Sequence, residues 1–226
     1  MLLHTMVNMQ NHFRTQAMGA NKRARTRGLL LDCAIDVFSD KGIESASINE
    51  ITAVAGLANG TFYNHFKDKD ELAQASARAI VVEIARELDD AMGSLERGVS
   101  RVVVASWAFL RLALEHPAWA NVVVEQYQRY QFQGEKRDGE PEAFDYMRAD
   151  IAQAKAQGEI KVEVDDFLLV QISALMVASL RMMLKHGVQQ ELLNRTCEHV
   201  LRLLGLTPAQ AKREIERVAD HPLLGR

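Results

Sequence analysis

Cysteine is scarce in this chain: Cys33 and Cys197 stand alone and far apart in 226 residues, each inside an apolar, helix-patterned stretch. That excludes a disulfide framework and a zinc site, and predicts two buried free thiols in a reducing compartment. Proline is scarce too, at four residues, and β-branched runs are few, which disfavours strands. Excess positive charge is lacking: the net charge is −3 and the isoelectric point about 6.2. Contact with nucleic acid over the whole surface is thereby excluded, so any such contact must come from a local patch. No uninterrupted apolar run is long enough for a bilayer. The most apolar stretch, 167–184, contains Gln171, Ser173, Ser179 and Arg181 and reads as a buried or dimer-forming helix. Residues 1–18 lack the apolar core of a secretory signal, and 1–21 are expected to be a disordered leader. Nucleophile elbow, phosphate loop, zinc signature and paired His–acid motif are all missing. His186 and His199 have no spaced acid pair beside them. The expectations are no enzyme, no cofactor, no metal and no membrane, in a cytoplasmic protein.

What is present is helix, clearly punctuated. Hydrophobic residues make up 48% and charged residues 25%, an ordinary globular balance. A first helix is expected over 26–41, with Leu30, Ala34, Val37 and Phe38 on one face and Asp32, Asp36 and Asp40 opposite. Gly42 follows as its stop. Ser47-Ile48-Asn49-Glu50 is a capping box that opens a short helix to about 54. Ala55-Gly56-Leu57 makes a turn, and a third short helix covers 58–66. Asp68 and Glu71 repeat the capping signature for a long helix to 92. Further helices are expected over 99–115, 118–130, 141–158 (with Pro141 in its first turn), 165–187 and 189–204. Thr207-Pro208-Ala209-Gln210 caps a short last one. The polar stretch 131–140 reads as a loop, and no strand pattern is longer than 161–164.

The second and third helices, joined by three residues around Gly56, form a bend that needs a residue tolerant of positive φ. Leu57, Phe62 and Phe66 are spaced to anchor the third helix. Asn59, Gly60, Thr61, Tyr63, Asn64 and His65 are left outward or along the edge. That surface suits a major groove: Asn can bond adenine edges, while Thr, Tyr and His bond phosphates or bases. Gly60 would admit a close backbone approach to DNA. Ser47, at the entry to the second helix, joins the same face. Lys22, Arg23, Arg25 and Arg27 form a basic arm with no acid before Asp32, fit for phosphates or a minor groove. Lys67 and Lys69 flank the amino end of the fourth helix, whose free amides also favour a phosphate.

Across 26–72 the chain resembles the DNA-binding domain of the tetracycline-repressor (TetR) family. The carriers are Arg27, Ala34, Phe38, Gly42, Ile51, Ala55, Gly56, Gly60, Thr61, Tyr63, His65, Phe66, Lys69 and Leu72, and the run 56–69 is close to the recognition-helix pattern. The resemblance implies phosphate contacts from Thr61, Tyr63 and Lys69, with Asn59, Gly60 and Asn64 near base edges. Two positions depart from the pattern. Ala58 stands where Ser or Thr often caps the helix, and Asn59 where a basic residue is common. Asn59 therefore has two roles open to it, cap or base reader.

The expected fold is all-α: a helix-turn-helix domain over 22–70 and a helical ligand-binding and dimerisation bundle over 71–226. The resemblance implies a homodimer through the helices near 166–186 and 189–204, packed as a four-helix interface. Two heads about one helical turn apart would read a palindromic operator of double-stranded DNA. It also implies a small apolar or amphipathic inducer that releases a repressor. Trp107, Leu110, Arg111, Tyr127, Phe144, Met147 and Met176 are the candidate lining, with His116 and Glu125 as further polar candidates. The alternatives are an activator, or a DNA-binding protein of the same fold without an inducer.

Overall fold

The computed structural model describes residues 12–19, 21–130, 143–187 and 190–224, with the backbone alone for 128–130 and 143. Eleven α-helices lie among them, and no strand. They are α1 (His12–Gln16), α2 (Lys22–Ser45), α3 (Ile48–Val54), α4 (Asn59–Tyr63), α5 (Lys69–Ala91), α6 (Val99–Glu115), α7 (Pro117–Tyr130), α8 (Ala143–Ala156), α9 (Asp166–His186), α10 (Gln190–Leu203) and α11 (Pro208–Arg217).

The helix ends follow local chemistry. Asn21 caps α2 by accepting from the Ala24 amide, four residues earlier than expected. Gly42, at φ 80°, breaks α2, and one more turn follows to Ser45. The capping boxes Ser47/Glu50 and Thr207/Gln210 form as the pattern predicts. Asp165 caps α9, and Gly187 ends it at φ 87°. The expected start of α8 at Pro141 and the loop at 131–140 lie outside the described residues. α9 is long and apolar enough to cross a membrane by composition. Here Leu168, Leu169, Ile172, Met176, Leu180 and Met183 form a buried face of the bundle.

Among the described residues, two compact units emerge, one of 12–81 with 116–130, the other of 82–115 with 143–224. A division at 70/71 was expected. Instead α7 packs along α2, so the head takes in a helix more than forty residues downstream. Glu125 of α7 accepts from the Ile43 amide at the α2 kink, at 3.4 Å.

The expected leader is corrected over 12–19. Phe13 is buried and stacks on Trp119 of α7, with centroids 5.5 Å apart and planes 16° apart. The buried Asp32 carboxylate accepts from the Phe13 amide (3.1 Å) and the Arg14 amide (2.9 Å), capping α1 from eighteen residues away. Gly28 makes this close approach feasible: a Cβ there would stand 2.5 Å from the Phe13 carbonyl oxygen. Gly28→Ala is therefore expected to push α1 off the head, at about 1–3 kcal/mol for overpacking. Faster amide exchange at 13–16 and altered Trp119 fluorescence would show it. Unchanged exchange would mean that the backbone absorbs the methyl group.

The second unit is stitched by buried charge. Arg101 of α6 and Asp150 of α8 are each 4% exposed and lie 3.2 Å apart. Arg101 also bonds Asp89 (2.5 Å) and the Met92 and Leu95 carbonyls, and Arg97 reaches Asp150 at 2.7 Å. Desolvation pushes the Asp150 carboxyl up, and the two guanidinium groups oppose it. Cys33 and Cys197 are free and buried, and burial lifts their thiols to about 11 and about 12.

Candidate nucleic-acid interface

α3 and α4 form the expected helix-turn-helix. Gly56 sits in the turn at φ 65°, and the Leu57 amide closes it on the Thr52 carbonyl at 2.8 Å. Phe62 and Phe66 are fully buried and hold α4 against the head, while Leu57 is only half-buried. The opposite face is open: Tyr63 is 60% exposed, and Asn59, Gly60 and Asn64 are exposed beside it. Thr61 and His65 are half-buried. Burial and the neighbouring Arg23 and Arg27 charges lower the His65 pKa. Nothing lies within 4 Å of a Cβ built on Gly60, so the head itself does not demand glycine there.

The cationic residues differ in exposure and in what they bond. Arg25 and Lys67 project into solvent, and Arg23 reaches across to the Asn64 carbonyl at 3.3 Å. The Arg27 guanidinium lies over the Phe66 ring, 5.2 Å from its centroid. Lys69 donates to the Glu44 carbonyl (2.8 Å) and the Ala46 carbonyl (2.7 Å), closing the end of α2. Its ammonium thus has a structural task in the head that the sequence did not reveal. The Ser47 hydroxyl is likewise spent on Glu50.

Glu50 is the electrostatic hinge of this end. Lys41 donates to it at 2.5 Å, and the Ser47 hydroxyl and amide also donate. These bonds, Lys41 first, pull its carboxyl down to about 2 from the usual 4.5. A depressed carboxyl stabilises the fold above its ordinary pKa and loses that contribution as pH falls. The head's urea midpoint is therefore expected to drop between pH 4.5 and about 2. Glu50→Gln should flatten that part of the profile, and an identical profile in the variant would assign the drop elsewhere.

Asn59 is the first residue of α4, and Ala58 occupies the cap position without a side-chain bond. Asn59 therefore does not cap. Its carboxamide accepts from Thr52 and donates to Asn49, both on α3. Asn49, exposed on that face, was missed by sequence reasoning because only the fold brings it to Asn59. Its one local signal was its outward place within the capping box.

In the other unit, Trp107, Leu110 and Met176 are buried, and Arg111, Phe144 and Met147 half-buried. Arg111 lies over Trp107 at 5.2 Å and bonds Glu115 and the Leu224 carbonyl. Tyr127 is half-buried on α7, in the DNA-side unit. Beside it Gln126, 3% exposed, leaves both carboxamide atoms without a partner among the described residues. Sequence reasoning did not single it out. No cluster of three metal-ligating side chains occurs among the described residues.

Residues 30–76 match the model of the tetR family of bacterial regulatory proteins. The HTH-type transcriptional regulator AcrR of Shigella flexneri is 47% identical over 47 residues, 21% of this chain and 22% of that protein. The HTH-type transcriptional repressor KstR2 of Mycolicibacterium smegmatis is 30% identical over 107 residues, 46% of this chain and 49% of that protein. The chain thus spans half or less of these relatives' lengths. The solved structure of RolR in complex with resorcinol aligns with a TM-score of 0.67 at 22% identity, over 87% of this chain and 95% of that one. At that identity the likeness is one of fold.

Proposed function

We propose, from the match of residues 30–76 to the tetR family of bacterial regulatory proteins, that the chain is a ligand-released repressor of that family. It binds a palindromic operator as a dimer and works in the cytoplasm, on the nucleoid. The carrying observation is the outer face of α4. Tyr63, Asn64, Asn59 and Gly60 are exposed on a helix anchored by two buried phenylalanines, with Arg23 and Arg25 alongside. An exposed face rich in amides and hydroxyl, bordered by cations, matches a major groove and its phosphates.

Dimerisation through α9 and α10 is supported by Phe167, 69% exposed, and Met182, 53% exposed, on α9. Large apolar side chains left in water on one helix favour a self-complementary contact. Gln126, without a partner among the described residues, supports a ligand of mixed character. A buried carboxamide left without partners costs about 1–3 kcal/mol, and a hydroxyl or carbonyl on an otherwise apolar inducer would satisfy it. Tyr127, next to Gln126 on α7, is the aromatic candidate for contact with that ligand, while Trp107, Phe144, Met147 and Met176 are candidates within the downstream unit. Release then requires that the ligand favour a head spacing unsuited to successive major grooves, by its differential affinity for the two states.

The test is binding to the DNA just upstream of the protein's own coding region across a salt series. Specific binding that weakens as salt rises is expected. Tyr63→Ala should weaken binding on all sequences alike and leave the slope of log K against log salt unchanged, because a neutral phenol displaces no counterion. Full affinity in that variant would refute the docking.

A further inference from the structure

An exposed asparagine normally offers one donor and one acceptor, the pair that matches adenine. Asn49 and Asn59 are not free in that sense. The Thr52 hydroxyl is buried, 2.9 Å from the Ile48 carbonyl, 3.1 Å from the Asn49 carbonyl and 2.5 Å from Asn59 Oδ1. It has one proton, and the shortest contact takes it. With Oδ1 so occupied, Asn59 turns Nδ2 toward Asn49 and donates to Asn49 Oδ1 at 2.5 Å. Asn49 is thereby oriented in turn: its oxygen faces inward and its two Nδ2 protons are left over. Each carboxamide oxygen already accepts one bond within the cluster and keeps a single lone pair, whereas three of the four Nδ2 protons are not engaged in it, so the exposed pair is donor-rich.

We propose that Asn49 and Asn59 act as one donor pair that reads the acceptor edge of a single base pair, N7 and O6 of a guanine. In that pair Asn59 is the positioning residue and Asn49 the contacting one. Guanine is the base that shows two adjacent acceptors in the major groove, whereas adenine needs an acceptor opposite its amino group. The inference rests on the reading of the head as a DNA binder. It replaces the adenine preference that asparagine alone suggests.

The experiment is selection of bound duplexes from a randomised library by the full-length protein, its Asn49→Ala, Asn59→Ala and Asn59→Asp variants, and the double Asn49→Ala/Asn59→Ala variant. Circular dichroism verifies each fold, and Thr52→Ser serves as a conservative control that keeps the hydroxyl. The wild type is expected to enrich guanine at one position of each half-site, and 7-deazaguanine there should weaken binding. All three single variants should lose roughly 10- to 100-fold of discrimination at that same position and leave the others intact. The double variant should be no worse than Asn49→Ala, and Thr52→Ser should keep the preference. Enrichment of adenine at that position, effects at two different positions, or a uniform loss of affinity without change of preference would each overturn the proposal. A wild-type protein that enriches no sequence would overturn the DNA reading itself.

Discussion

Arg101→Met is expected to destabilise the downstream unit by about 3–5 kcal/mol, the cost of stranding a buried charge. Methionine fills much of the same volume, so the loss reports charge and hydrogen bonding more than a cavity. The guanidinium serves four partners: Asp150, Asp89, and the Met92 and Leu95 carbonyls. Without it Asp150 keeps only the partly exposed Arg97 and must protonate or draw in water. The loop carbonyls after α5 also lose their donor, so the damage should spread from α6 to the α5–α6 connection. A fall of the melting temperature by roughly 10 °C is expected, at 2–4 °C per kcal/mol for a chain of this size. Raising the pH from 5 to 8 should deepen the loss, because burial already pushes Asp150 toward its neutral form. A shift below about 1 kcal/mol would mean that Arg97 alone compensates the buried carboxylate.

Phe62→Ala is expected to cost about 3–5 kcal/mol in the head, as for other buried aromatic truncations. Phe62 is wholly buried, tilted against Phe66 at 5.9 Å and edge-on to Tyr63 at 5.3 Å. α4 is only five residues long, far too short to persist alone, so its position depends on that ring. The variant should lose DNA binding even where circular dichroism still reports a helical chain. Phe62→Leu, nearer in volume, should recover part of both. Intact operator affinity in Phe62→Ala would show that Phe66 and the turn at Gly56 suffice to seat α4.

Legibility in the sequence followed the range of the interactions. Capping boxes at Ser47/Glu50 and Thr207/Gln210 act over three residues, and both were read correctly. The same holds for the turn at Gly56 and the burial of Phe62 and Phe66, since period and turn chemistry are local. α1 escaped notice because five residues carry no period, and what holds it, Asp32, Gly28 and Trp119, lies 15 to more than 100 positions away. The structural task of Lys69 was hidden because carbonyls at Glu44 and Ala46 leave no mark on a sequence. Asn59 looked ambiguous for the same reason: the residues that settle its orientation, Thr52 and Asn49, belong to another helix. The ordinary side of the fold is thus written locally, and the specific side in contacts between helices.

The placement of α7 also bears on when the protein acquires its shape. The helix-turn-helix is complete by Tyr63, yet the unit that supports it needs Trp119 and Glu125. During synthesis the reading helices emerge first and wait for that support. At 5–20 residues per second the wait is on the order of several seconds. Through that interval the apolar face of α2 is uncovered, and the nascent chain must be shielded or soluble enough to tolerate it. A gene fragment cut after the reading helices would make that interval permanent.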